Sequence, residues 1–390
     1  MKTVELFAGI GGFRLAADSM GFKTIWANDI EPKACKVYKS CFGNRELVEG
    51  DIRNLKTQIP SHDLLTAGFP CQPFSSAGMK KGIRDPRGTL FQEIVDVLKL
   101  NTPDFFILEN VKRLLTMEDG LHFATILSSL TDLNYTIEWR LFNAMDFGLP
   151  QNRQRVFIVG TKADDYNING NSSLSIVSTK LAIESELNSL KPIDLEDLSD
   201  SKSWKFIEKH GKKFPNWGIA SNHRFWGKDL NGFDSKSKPV FLNSILQDNV
   251  SSEFDFTEST LSRLHKNTPV NKMVQGVEII SNQGGGARMG YTIFGVNGVA
   301  PTLTSTASRH YERYLVGNKY RRLTNIEYAR IQGFPDNHCE AVSVYDQYSL
   351  IGNAVPAPIV KWVMSRLNFK VLRKSIPRAK RQGVLLHYGT

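Results

Sequence analysis

The chain has 390 residues, 41% of them hydrophobic and 23% charged. That length exceeds one compact core and that mix excludes disorder, so two units of an ordinary soluble globular protein are expected. No apolar run approaches the roughly 18–20 residues of a membrane span, and residues 1–5 enter a strand pattern with no signal-peptide core, so no membrane partner is expected.

Lys and Arg number 49 against 39 Asp and Glu, a formal charge of +10. The excess favours a polyanionic partner, nucleic acid above all, although a generic solvated surface accounts for it as well. The four cysteines, Cys35, Cys41, Cys71 and Cys339, show neither CxxC spacing nor a matching histidine cluster. That argues against a metal and a disulfide framework, and for a reduced cytoplasmic compartment.

The first 161 residues alternate short apolar runs with amphipathic stretches, the pattern of a parallel sheet covered by helices. Residues 3–7 read as a strand, Ala8-Gly9-Ile10-Gly11-Gly12 as a glycine-rich turn, and 13–20 as the start of a helix. Such a turn lets backbone N–H groups approach a ligand, and the helix start favours an anionic group. The strand at 23–27 ends at Asn28-Asp29, and the one at 47–50 ends at Asp51. An acid at the end of the second strand lies close to where dinucleotide folds bind a ribose diol, so turn, Asp29 and Asp51 together suggest a nucleoside-bearing cofactor. A plain strand-to-helix turn is the alternative, since the spacing is not GxGxxG.

The apolar run 64–67 leads into Gly68-Phe69-Pro70-Cys71-Gln72-Pro73-Phe74-Ser75. Two prolines stiffen the loop that carries the Cys71 thiol, which is either a reactive group at the carboxyl end of a strand or a small buried hydrophobe. A helix follows, with Leu90, Phe91, Ile94, Val95 and Leu98 on one face. The buried strand 104–108 delivers Glu109-Asn110-Val111 to the same rim as Cys71. Strands at 135–143 and 156–161 flank Gln151-Asn152-Arg153-Gln154-Arg155, whose arginines, two apart, share one face and suit a phosphate, a base carbonyl or a carboxylate.

Residues 162–203 read as a linker or surface insertion. Residues 204–233 are basic and aromatic, with Trp204, Trp217 and Trp226, and suit either nucleic-acid contact or a small local core. Gln283 and Arg288 bound a polar, glycine-rich loop suited to a DNA groove or to a hairpin tip. Thr324 and Glu327 predict a capping box that opens a helix through Gln332, stopped by Gly333. A last helix runs to about residue 367, and a basic tail follows.

In this order, Leu6-Phe7-Ala8-Gly9-Ile10-Gly11-Gly12-Phe13, Gly68-Phe69-Pro70-Cys71-Gln72-Pro73, Glu109-Asn110-Val111, Gln151-Asn152-Arg153-Gln154-Arg155 and Gly352-Asn353-Ala354-Val355 resemble the motifs of DNA (cytosine-5)-methyltransferases, the bacterial restriction–modification type in particular. The resemblance covers residues 3–161 and 302–367. It implies a Rossmann-like, doubly wound, mostly parallel α/β sheet of the S-adenosylmethionine-dependent methyltransferase fold, with a second, smaller target-recognition domain. The implied division is a catalytic and cofactor-binding part at 1–165, a linker plus recognition domain at 166–320, a return to the catalytic domain at 321–370, and a tail at 371–390.

The resemblance further implies S-adenosylmethionine as cofactor, leaving as S-adenosylhomocysteine. Phe7, Gly9, Ile10 and Gly11 would hold its methionine part, Asp29 its ribose, and Ile30, Asp51 and Ile52 its adenine. Pro70, Leu90, Asn353 and Val355 would complete the pocket. Cys71 would attack C6 of a flipped-out cytosine, Glu109 would serve the N3 edge, Arg155 the O2 carbonyl, and Arg153 would support the cysteine loop. Thr302-Leu303 resembles a Thr-Leu element near the end of the recognition region, so Gln283, Arg288, Thr302 and Leu303 are the expected DNA contacts. Double-stranded DNA is the implied substrate, a cognate endonuclease the genetic partner, a monomer the state, and the nucleoid-bearing cytoplasm the place. Cytosine methylation of RNA on the same scaffold, or a silent DNA-binding protein, are the alternatives. A nicotinamide-dependent dehydrogenase is disfavoured by the GxGG spacing and the Pro-Cys loop.

Overall fold

The computed structural model describes residues 1–70, 90–162, 191–195, 214–233, 237–283, 292–304 and 312–367. The amino-terminal half builds strands β1 (Lys2–Leu6), β2 (Lys23–Asp29), β3 (Leu47–Glu49), β4 (Leu64–Gly68), β5 (Phe105–Val111), β6 (Thr136–Asn143) and β7 (Gln154–Thr161). Between them run helices α1 (Gly12–Ser19), α2 (Pro32–Phe42), α3 (Ile52–Leu55), α4 (Leu90–Asn101) and α5 (Leu121–Thr131). Pro32 occupies the first turn of α2, where its missing N–H costs nothing, and Glu31 caps that helix by accepting from Lys33 N–H.

The large sheet has the order β3-β2-β1-β4-β5-β7-β6 and then continues through β9 (Trp217–Ser221), β10 (Arg224–Lys228) and β8 (Ile193–Asp194). Pairing is parallel from β3 to β5 and antiparallel from there on. The chain direction across the sheet reverses between β1 and β4, and open α/β sheets place ligands at the carboxyl ends of strands at such a point.

Strand side chains alternate between two cores. Leu65, Ala67, Phe106 and Leu108 pack with Phe91 and Ile94 of α4 and with Leu121 and Leu127 of α5. Leu64, Phe105 and Ile107 face the opposite side, with Phe13 and Ala16 of α1 and with Ile359, Val360 and Val363 of the last helix, α9 (Ala357–Arg366). Each such fully buried side chain contributes about 1.5–3 kcal/mol, so α9 is held in the amino-terminal core although it lies at the far end of the described chain.

The expectations were a linker or surface insertion at residues 162–203 and either a nucleic-acid contact or a small local core at 204–233; the described parts of both join the large sheet. Strand β9 pairs with β6 along Ile137–Arg140, and the β8–β10 strands extend the large sheet. Trp217 is fully buried and its Nε1–H donates to Glu138 Oε1 at 2.8 Å. Trp217 therefore serves the core rather than nucleic acid; Trp204 lies outside the described residues.

A second sheet has the order β11 (Thr268–Val274), β12 (Val277–Asn282), β13 (Ile293–Phe294), β14 (Arg313–Val316), β15 (Lys319–Arg321), preceded by the short helix α6 (Glu258–Leu264). Beyond it come α7 (Asn325–Gln332) and α8 (Val344–Asn353). The predicted capping box is present: Thr324 Oγ1 accepts from Glu327 N–H, and Glu327 Oε2 accepts from Thr324 N–H. Gly333 ends α7 in the left-handed region at φ 79°. Leu303, Leu323, Ala329 and Ile331 pack in one core with Ile10 and Val37, which seats the second unit against the glycine turn of the first. No helix among the described residues is long and apolar enough to cross a membrane.

Candidate active site

A cleft of about 760 Å³ opens at the carboxyl ends of β1, β2, β4 and β5. One wall is the turn after β1. Phe7, Gly9 and Gly11 all have positive φ, at 53°, 56° and 86°. A β-carbon on Gly9 would meet nothing within 4 Å, so the backbone there leaves open space for a ligand. Asp29, at the end of β2, fixes this turn: its Oδ2 accepts from Gly9 N–H at 2.7 Å and its Oδ1 from Glu31 N–H at 2.8 Å. Burial pushes its carboxyl above the ordinary range, while those N–H groups pull the other way.

Asp51 caps α3 by accepting from Arg53 N–H at 3.0 Å and keeps part of its side chain in solvent. Ile30 is 65% exposed on the lip of the cleft, an apolar face with no protein cover. Ile10, Ile52, Pro70, Leu90, Asn353 and Val355 also line the cleft. Of the expected cofactor residues only Gly11 does not. A β-carbon there would lie 2.3 Å from the Phe42 ring, so Gly11 lets the turn pack against α2.

The far wall is built from the carboxyl ends of β4 and β5 and the start of β7. Gly68 and Glu109 are register partners in the parallel pair β4–β5, so the two strand ends lie side by side. Asn110 Nδ2 donates to Phe69 O at 3.0 Å and pins the chain immediately before Pro70. Cys71 itself lies outside the described residues. Arg155, on β7, brings Nε to 3.0 Å from Glu109 Oε1. Burial raises the Glu109 carboxyl above the usual range, against the opposing pull of Arg155 and Arg153.

Arg153 is 1% exposed and donates to Leu303 O (3.1 Å), Gly352 O (2.9 Å) and Ala354 O (3.2 Å). Burial depresses its pKa, but a guanidinium with three carbonyl acceptors stays charged. Its described partners are thus the Thr302-Leu303 and Gly352–Val355 segments; the cysteine loop it was expected to support lies outside the described residues.

Two further side chains join this knot that sequence reasoning missed. Gln332 Nε2 donates to Ile351 O and Ala354 O, each at 3.0 Å, and its Oε1 accepts from Gln151 Nε2 at 2.8 Å. Gln332 closes a polar-faced helix, and nothing in its sequence position signals burial. Of the expected DNA contacts, Thr302 Oγ1 donates to Asn152 O at 2.6 Å, and Leu303 is 1% exposed, with its carbonyl accepting from Arg153 and its N–H donating to Gln151 Oε1. Gln283 follows β12 and does not line the cleft, and Arg288 lies outside the described residues.

The profile of the C-5 cytosine-specific DNA methylases matches residues 1–368. The chain belongs to the C-5 cytosine-specific DNA methylases. It is accordingly a DNA cytosine-C5 methyltransferase. Type II methyltransferase M.NlaIV of Neisseria lactamica is 30% identical over 94% of this chain and 98% of its own length. M.NgoBI of Neisseria gonorrhoeae is 31% identical over 92% and 90%, and M.HhaI of Haemophilus parahaemolyticus 29% over 95% and 96%. Among solved structures, the S. pombe Dnmt2 methyltransferase superposes with a TM-score of 0.60 at 18% identity, covering 94% of this chain and 97% of its own, a likeness of fold.

Proposed function

We propose that this methylase takes its methyl group from S-adenosylmethionine and delivers it to a flipped-out cytosine within a specific duplex DNA sequence, as the modification enzyme of a restriction–modification system. The observation that carries this reading is the continuity of one cleft from Asp29, Ile30 and Asp51 to Glu109 and Arg155. The relatives' designation as Type II methyltransferases supports the biological setting.

The residues fit the cofactor. The open Gly9 backbone suits a ligand main chain, Phe7 an aromatic contact to a sulfonium, Asp29 a ribose diol, and Ile30 with Ile52 the faces of adenine, with Asp51 at its amine. When bound, the cofactor supplies an electrophilic methyl.

Cytosine C5 is too electron-poor to accept that methyl unaided. Cys71 as thiolate adds to C6, which makes the ring an enamine nucleophilic at C5. Glu109, kept toward its neutral form by burial, donates to N3 as charge builds there, and Arg155 holds O2. Once C5 carries its methyl, loss of the C5 proton and expulsion of the Cys71 thiolate restore the ring. The thiol cannot reach C6 within a stacked duplex, so the base leaves the helix.

The test is a duplex whose target cytosine is replaced by 5-fluorocytosine, incubated with S-adenosylmethionine. With fluorine in place of the departing proton, elimination is blocked and a denaturation-resistant complex is expected for the wild type and not for Cys71→Ser. Ready methylation by Cys71→Ala refutes the covalent step, and preferential methyl incorporation into tRNA refutes the substrate.

A further inference from the structure

The second sheet meets the catalytic unit at one hairpin. Val274 of β11 pairs with Val277 of β12, so the connection is the two-residue turn Gln275-Gly276. Both residues have positive φ, 49° and 81°. Such turns suit Asn, Asp or Gly at the first position; glutamine there is strained, and strain of this kind gathers where a side chain is used.

The turn is also held in place. Val299 N–H donates to Gly276 O at 2.8 Å, and a β-carbon on Gly276 would stand 3.1 Å from Met145 Cε. Asn152 Nδ2 donates to Gln275 O at 3.2 Å and to its Oε1 at 3.4 Å. Asn152 precedes Arg153 and lies three residues before Arg155, roughly 10 Å in extended chain, or about three stacking steps of DNA. The Gln275 side chain is exposed, its Nε2 makes no hydrogen bond among the described residues, and Met273 beside it is 54% exposed.

We propose that Gln275 is a specificity-determining residue, whose amide reads a base pair within about three steps of the target cytosine. The inference rests on the function proposed above. A duplex seated with its cytosine against Glu109 and Arg155 passes the Gln275 tip, and a paired donor and acceptor is the chemistry that distinguishes one base edge from another. The anchored backbone supplies the fixed origin such readout needs.

The experiment measures methylation rates of the full chain on duplexes randomised around the cytosine, for wild type, Gln275→Gly and Gln275→Asn. Glycine relieves the left-handed strain, so Gln275→Gly is expected to melt no lower than wild type. Discrimination at one position within about three steps of the cytosine nevertheless falls roughly 10- to 100-fold while the other positions keep theirs, and Gln275→Asn restores part of it. An unchanged preference at every position, or a uniform loss of rate with the preference intact, overturns the proposal while leaving the methylation reading in place. A wild-type chain that methylates no duplex overturns both.

Discussion

Arg155 Nε stands 3.0 Å from Glu109 Oε1 across the antiparallel pair β5–β7, with both side chains nearly out of solvent. Burial raises the Glu109 pKa more than the arginines lower it. The protonated acid is the form that donates to a ring nitrogen, so the raised pKa carries the active form toward neutral pH. The rate of methyl transfer is expected to fall as pH rises through that pKa. Glu109→Gln, a permanent donor that cannot ionise, should lose the alkaline fall and on the order of 10²–10⁴ in rate. Single-turnover rates from pH 6 to 9 check both. An identical alkaline limb in the variant removes Glu109 from the acid role.

A second carboxylate gives a stability effect with a defined sign. Glu5 is 1% exposed on β1, facing the first turn of α1, and its Oε2 accepts from Tyr38 O–H at 3.2 Å. Burial pushes its carboxyl up to about 8 from an ordinary value of 4.5. The stabilisation of the neutral acid is fully present below the unfolded value and is lost as pH rises through the folded one. Unfolding free energy should therefore decline between about pH 5 and 8, by up to about 1.4 kcal/mol per pH unit from this group. Glu5→Gln should flatten that decline, read from urea melts at several pH values. Parallel curves for wild type and variant would exclude Glu5 as the source.

Those two acids also mark what the sequence makes visible. Strands β1 to β7 were legible as short apolar runs, of which β2, β3 and β4 end in Asp29, Glu49 and Gly68, and the cleft was legible because the carboxyl ends of strands converge at the switch point of a doubly wound sheet. The extension through β9 and β10 was not. Gly218 and Gly227 there leave room for the Trp139 ring, whose atoms would lie 2.2 Å and 3.4 Å from β-carbons at those positions. In sequence, this basic and aromatic stretch suits nucleic-acid contact as well as a small local core; the fit of its glycines to a ring some 80 positions earlier is a tertiary fact. The Gln151–Gln332 bond spans 181 positions and was hidden for the same reason.

The return of the carboxyl-terminal segment rests on one small residue. A β-carbon on Gly12 would stand 2.4 Å from Val355 O, a backbone atom that cannot swing aside. Gly12→Ala must push the Gly352–Val355 segment away from the turn that lines the same cleft. Affinity for S-adenosylmethionine is expected to drop at least 10-fold, measured by titration calorimetry. Gly21→Ala, at φ 70° and outside the cleft, strains the backbone without any atom within 4 Å of the added carbon, so it serves as the control for backbone strain alone and should bind normally. Equal affinities for wild type and Gly12→Ala would show that the segment accommodates the displacement.

Arg153 joins the two parts of the molecule through carbonyls alone. Leu303 O belongs to the connection between β13 and β14 of the second sheet, and Gly352 O and Ala354 O to a segment that lines the cleft. Replacing Arg153 by methionine keeps most of the volume and strands three buried acceptors, a loss on the order of 3–5 kcal/mol. Lysine keeps the charge but not the planar fork that reaches both segments, so Arg153→Lys should recover only part of that loss. Gln332→Leu removes the parallel link to Ile351 O and Ala354 O and leaves the Arg153–Leu303 bond in place. If the knot couples cofactor and DNA, Arg153→Lys should weaken both ligands, and prior binding of one should no longer strengthen the other. Gln332→Leu should weaken the cofactor more than the DNA. Binding of each ligand in the presence and absence of the other checks this, with S-adenosylhomocysteine in place of the reactive cofactor. Retention of full coupling in Arg153→Lys would assign the residue to stability alone.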